Sequence, residues 1–147
     1  MSTLQISKVR AILLAIILTG APLSPASHAQ DLEGTVIVNV PFAFQNGPQH
    51  LSAGRYTISM DSQRVAIIRG ESRSGVALAG FDEDLQPSKT TKIVFDKYGD
   101  QYFLHEIWVE GDTRHTYFPP SKQEKLEISA NRTAPTSVEV AALQLPR

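Results

Sequence analysis

Residues 91–110 read TKIVFDKYGDQYFLHEIWVE. Two runs of alternating apolar and polar residues, Thr91–Tyr98 and Tyr102–Glu110, flank Gly99-Asp100-Gln101. Side chains alternate across a strand, and Gly and Asp supply turn conformations, so the stretch predicts a β-hairpin. A three-residue loop would pair Tyr98 with Tyr102 and Ile93 with Ile107. It would gather Ile93, Phe95, Phe103, Ile107 and Val109 on one apolar face. A two-residue Gly-Asp turn would oppose Ile93 to Glu106 instead. The first register buries more apolar surface and is the expected one.

The same period-two pattern, punctuated by turn residues, runs through the flanking sequence and predicts an all-β domain. Thr35–Phe44 places Val36, Val38, Val40, Phe42 and Phe44 on one face, with Ile37 as the exception on the other. Pro41 donates no ladder hydrogen bond, which puts this strand at an edge or bends it there. Gln45–Gly54 reads as a turn-rich connection. Arg55–Met60, Arg64–Arg69 and Val76–Phe81 read as a meander of short strands, and Asp82–Thr90 as the least ordered segment. After the hairpin, Thr113–Phe118 is a short strand stopped by Pro119-Pro120. Ser121-Lys122-Gln123-Glu124 matches a capping box, in which the Ser hydroxyl and the Glu carboxylate each satisfy the other's backbone N–H. A helix over Lys122–Ala130 follows, with Leu126 and Ala130 on one face. Val138, Val140 and Ala142 alternate as a last strand would, although a tail over the last dozen residues fits nearly as well.

The N-terminus has a different logic. Lys8 and Arg10 make a basic start, Ala11–Gly20 is an uncharged apolar run, and Ser27-His28-Ala29 carries small residues where a signal peptidase reads. This is the three-part design of a secretory signal, with cleavage expected before Gln30. The apolar run is too short for a span, which needs about 20 residues. The chain has no cysteine, so neither a lipidated Cys nor a disulfide framework is available. With no Arg-Arg pair, the general secretory route is expected. The organisation is therefore a signal peptide over residues 1–29 and one β-rich domain over 30–147, exported to the periplasm or beyond. Lys8 and Arg10 leave with the signal, so 12 of the 14 Lys and Arg remain against 15 Asp and Glu. A net acidic domain argues against nucleic acid as partner.

No stretch carries a recognised catalytic or phosphate-binding pattern, and no residue is assigned to catalysis, a cofactor or a metal. Asp82-Glu83-Asp84 lacks the spaced ligands and glycine of a calcium loop. His50, His105 and His115 are too few and too scattered for a metal centre unless the fold converges them. Asp96, Glu106 and Glu110 lie near aromatics, but acids on a strand's outer face are ordinary. Aromatic residues concentrate around the hairpin. In the expected register Tyr102 and Trp108 share the face away from the core, where they would form a stacking platform. The bland alternative is that both rings are packed, as in a sandwich.

Several stretches carry a resemblance: Val40-Pro41-Phe42-Ala43-Phe44, Ala53-Gly54-Arg55-Tyr56-Thr57-Ile58, Lys92–Asp100, Tyr102-Phe103-Leu104 with Trp108, and Pro120-Ser121-Lys122 with Glu124. Together they resemble a group of small exported bacterial proteins of unknown function, over about Val36 to Glu127. The resemblance implies a signal peptide and one β domain, and no activity.

The expected fold is mainly β: a small antiparallel sandwich or open barrel of about seven or eight strands with one short C-terminal helix. The expected function is a non-enzymatic binding or structural module of the envelope or secretome, meeting a protein or a surface polymer. A small-ligand carrier with a barrel cavity and a hydrolase with an unrecognised site are the alternatives.

Overall fold

The computed structural model describes residues 34–61, 64–131 and 134–145. The expected signal peptide lies outside them. No helix among the described residues is long and apolar enough to cross a membrane.

Among the described residues, eleven strands and one helix follow in chain order. Strands β1 (Thr35–Val40), β2 (Phe44–Asn46), β3 (Gln49–Leu51), β4 (Gly54–Met60), β5 (Val65–Gly70) and β6 (Ser74–Leu78) come first. Then come β7 (Gly80–Glu83), β8 (Lys92–Tyr98), β9 (Gln101–Trp108), β10 (Arg114–Tyr117), α1 (Lys122–Asn131) and β11 (Thr136–Leu145). The main path of the sheet is β3-β2-β9-β8-β11-β1-β4-β5-β6, with β10 beside β9 and β7 beside β10. It curls into a nearly closed barrel. Among the described residues all pairings are antiparallel except a single parallel rung between Gln45 of β2 and Phe103 of β9.

Three local features raise the strand number above the expected seven or eight. Pro41 ends β1, and the chain crosses to the other half of the sheet before β2 starts. The strand expected over Val76–Phe81 divides at Ala79, with β6 pairing β5 and β7 pairing β10. The connection after Phe44 folds into its own tight hairpin, β2–β3, around Gly47 with φ of 59°. Pro41 therefore bends the strand, and the edge position is corrected: β1 is flanked by β11 and β4.

β11 settles the C-terminal alternative as a strand. Its first part pairs β8, its last part pairs β1, and among the described residues it alone joins the two halves of the sheet by a backbone ladder. Val138, Val140 and Ala142 pack towards the core, as their alternation requires.

The core is the face predicted for Thr35–Phe44. Val36, Val38, Val40 and Phe44 are buried, with Tyr56, Ile58, Ile68, Ile93 and Phe95 closing over them. Phe95 is its aromatic centre, meeting Phe42 and Phe44 edge-on, each at 5.2 Å between ring centroids. The barrel interior is thus filled with side chains.

The hairpin uses both registers considered above. At the tip Tyr98 opposes Gln101 and Phe95 opposes Leu104, the two-residue turn; at the base Ile93 opposes Ile107, the register expected from burial. A β-bulge at His105 reconciles them, adding one residue to β9 between Leu104 and Glu106. It also shifts parity by one. Leu104 takes the core position expected for Phe103, and Phe103 is buried on the opposite face beside Tyr98.

The capping box forms as the sequence requires: the Glu124 N–H donates to Ser121 Oγ at 3.1 Å and the Ser121 N–H to Glu124 Oε2 at 3.3 Å. The helix packs against β8 with an unexpected face. Glu124 is buried and Glu127 accepts from Gln101 Nε2 at 2.8 Å, while Leu126 and Ile128 stay exposed.

Candidate functional site

The bulge separates the two aromatic residues of the expected platform. Tyr102 lies on the core side, stacked on Phe42 at 3.9 Å. Trp108 lies on the outer side, stacked on His115 at 3.9 Å, with Lys92 Nζ 5.9 Å from its ring centre. Its indole N–H donates to Glu106 Oε2 at 2.7 Å. Each ring has its own partner, and both are half-buried.

The remaining candidate residues distribute over the surface. His50 is exposed beside Gln45. Asp82 and Glu83 pair with β10 as part of β7, and Glu110 is exposed at the end of the hairpin. No group of three or more His, Asp or Glu among the described residues is placed to hold a metal. His105, at the bulge, is the point where acids gather: its Nδ1 is 3.6 Å from Asp96 Oδ2 and its Nε2 is 3.3 Å from Glu106 Oε1. Burial pushes the Asp96 carboxyl above its ordinary range; His105 opposes that shift and Glu106 adds to it. Burial likewise raises Glu124; the Ser121 N–H opposes, Asp96 adds and His105 opposes.

A raised carboxyl stabilises the fold only while protonated. Its contribution is complete below the unfolded-state value and is lost as pH rises through the folded one. Asp96 and Glu124 thus make stability fall as pH rises above the ordinary carboxylate range and through their raised folded-state values. Asp96→Asn, which stays neutral, is expected to melt higher than the unaltered protein at pH 7. The gain should shrink as pH falls towards about 4. Calorimetric melting of both proteins across that range measures it; a Tm difference that stays flat with pH would contradict the account.

A different place in the molecule offers room. The end strands of the barrel path, β3 and β6, approach without forming a backbone ladder. Side chains bridge them instead. Gln49 Oε1 accepts from the Val76 N–H at 3.2 Å, and Arg73 donates to the His50 carbonyl at 3.3 Å. Beyond that staple the seam opens into a groove of about 650 Å³ between β6, the β2–β3 turn, β9 and the start of α1. Val76, Leu78 and Leu126 line it at 55%, 72% and 61% exposure.

No family model, curated protein or solved structure matches the chain. The reading of the groove therefore rests on its own chemistry. Asn46, in its lining, is only 1% exposed, and its Nδ2 has no hydrogen-bond partner. A buried amide without a partner costs free energy of roughly 1–3 kcal/mol, so native folds rarely keep one without a purpose. The backbone is what brings Asn46 here. Gly75 on β6 has no side chain, and a Cβ there would fall 2.9 Å from Asn46 Nδ2 and 2.5 Å from Gln49 Oε1. In the sequence Asn46 belongs to the turn-rich connection Gln45–Gly54, and no local signal couples it to a glycine on a distant strand.

Proposed function

We propose that the protein is a non-enzymatic, exported binding module of the envelope or secretome, and that the seam groove is where it binds. The observation that carries this is the buried, unpartnered Asn46 amide set in an apolar groove. Apolar walls with a few fixed polar groups are the usual composition of a binding site, and the groove's volume lies within the range of such sites. Three exposed apolar side chains brought together from β6 and α1 are what a partner would cover. Export rests on the basic, apolar and small-residue order of residues 1–29, together with the resemblance of the β domain to small exported proteins.

The test uses N-phenyl-1-naphthylamine, a dye that brightens in apolar sites. The unaltered protein is expected to bind it saturably. A double variant, Leu78→Glu with Leu126→Glu, places two charges in the groove and is expected to weaken binding about tenfold or more. Both positions are exposed, so its melting temperature should hold within a few degrees. Equal dye binding by a folded double variant would remove the groove from the account. Export is tested separately: the secreted chain should begin at Gln30, and a chain retaining Met1 would refute cleavage.

A further inference from the structure

We propose that the groove takes an extended, uncharged, apolar peptide segment of a partner protein, which adds to the free edge of β6; this rests on the groove being the binding site. β6 pairs β5 through Ser74–Leu78 and, among the described residues, has no strand on its other side. Alternation in an antiparallel ladder turns backbone groups to the two edges in turn. The Val76 N–H meets Gln49 across the seam, whereas the Ala79 N–H returns to the Arg64 carbonyl. The backbone groups of Ser74, Val76 and Leu78 therefore face the open edge. Gln49 Oε1 occupies the Val76 N–H as a strand carbonyl would, which shows the geometry such a carbonyl meets.

The polar groups of the groove match a peptide better than another apolar ligand. Leu78 offers an N–H and a carbonyl and Val76 a carbonyl, while the unpartnered Asn46 Nδ2 lies buried against Gly75 of the same strand. An extended peptide carries both carbonyls and N–H groups at strand spacing, and sheet-edge recognition works this way. Charge points to a neutral segment. The charged residues of the lining are Lys122 and Glu124, and Glu124 is buried and held by the Ser121 N–H, so a single lysine is the one exposed charge of the lining and no cluster of either sign calls for a charged segment. Val76, Leu78 and Leu126 supply apolar contacts for alternate side chains of the peptide.

The probe is the blocked peptide acetyl-Val-Thr-Val-Thr-Val-amide, titrated into the protein and followed by amide NMR. Saturable shifts are expected at the Leu78 N–H and the Asn46 side-chain amide. The same peptide N-methylated at its pairing residues should bind about tenfold more weakly or worse, because it has lost the donors. Leu78→Pro removes one edge donor and leaves the β5 bonds, so it should weaken binding similarly, while Leu78→Val should stay within about twofold. The N-methylated peptide tests the same bond on the unaltered protein, whether or not Leu78→Pro folds. Equal binding of both peptides and of decan-1-ol would overturn strand addition and leave the groove as a general apolar site. Binding of neither peptide, decan-1-ol nor dye would overturn both readings. Concentration-dependent dimerisation with the Leu78 N–H protected would make a second copy the occupant and overturn the partner segment.

Discussion

Replacing Phe95 by alanine is expected to cost about 3–5 kcal/mol, the range for deleting a fully buried aromatic side chain. Its ring is 1% exposed and contacts Phe42 and Phe44 edge-on, and Val138 of β11 stands opposite it across the ladder. The substitution therefore empties the point where the two halves of the sheet meet. A domain of this size is stable by only about 5–15 kcal/mol, so the loss is a large share of the total. The urea midpoint should fall steeply and Tm by on the order of 15 °C. Phe42→Ala should cost less, since Phe42 is half-buried. A loss below about 1 kcal/mol for Phe95→Ala would place the core elsewhere.

Ending the chain after Pro135 should have the larger effect still. β11 pairs β8 through Thr136–Ala141 and β1 through Ala142–Leu145. Without it the ladder separates into β3-β2-β9-β8 and β1-β4-β5-β6. Each part then exposes a long unpaired edge, and the Val38, Ile93 and Phe95 side chains lose cover from Val138, Val140 and Ala142. The expected result is loss of the cooperative thermal transition and of dispersed amide signals. Retention of both would show that the two halves hold together without the last strand.

Much of this architecture was legible in the residues. Alternation located the core face of β1, and the Ser121–Glu124 pair located the start of the helix, because both are set by neighbours in sequence. The hairpin was legible as a hairpin but not as a bulged one. Its tip follows the Gly99-Asp100 turn and its base follows the burial of Ile93 and Ile107, and only an extra residue at His105 satisfies both. The platform of Tyr102 and Trp108 depended on continuous parity and is divided by that residue. The face of α1 was also hidden. The cap turns Glu124 inward and Gln101 holds Glu127, so Leu126 is left outside.

The groove was the least legible feature. Asn46, Gly75 with Leu78, and Leu126 lie on three separate elements, β2, β6 and α1, and each has an ordinary local role as turn, strand or helix residue. Their convergence follows from where the curl of the sheet stops short of closing. Sequence patterning specifies which side of a strand is buried, but not which two strands fail to pair.

Hydrogen exchange along β6 tests that open seam directly. Ala77 and Leu78 are adjacent, yet alternation points the Ala77 N–H to β5 and the Leu78 N–H to the groove. The account predicts slow exchange at Ala77 and exchange at Leu78 faster by orders of magnitude, approaching that of an unprotected amide. Equal, strong protection at both positions would mean that the edge is already paired and that no binding groove exists there.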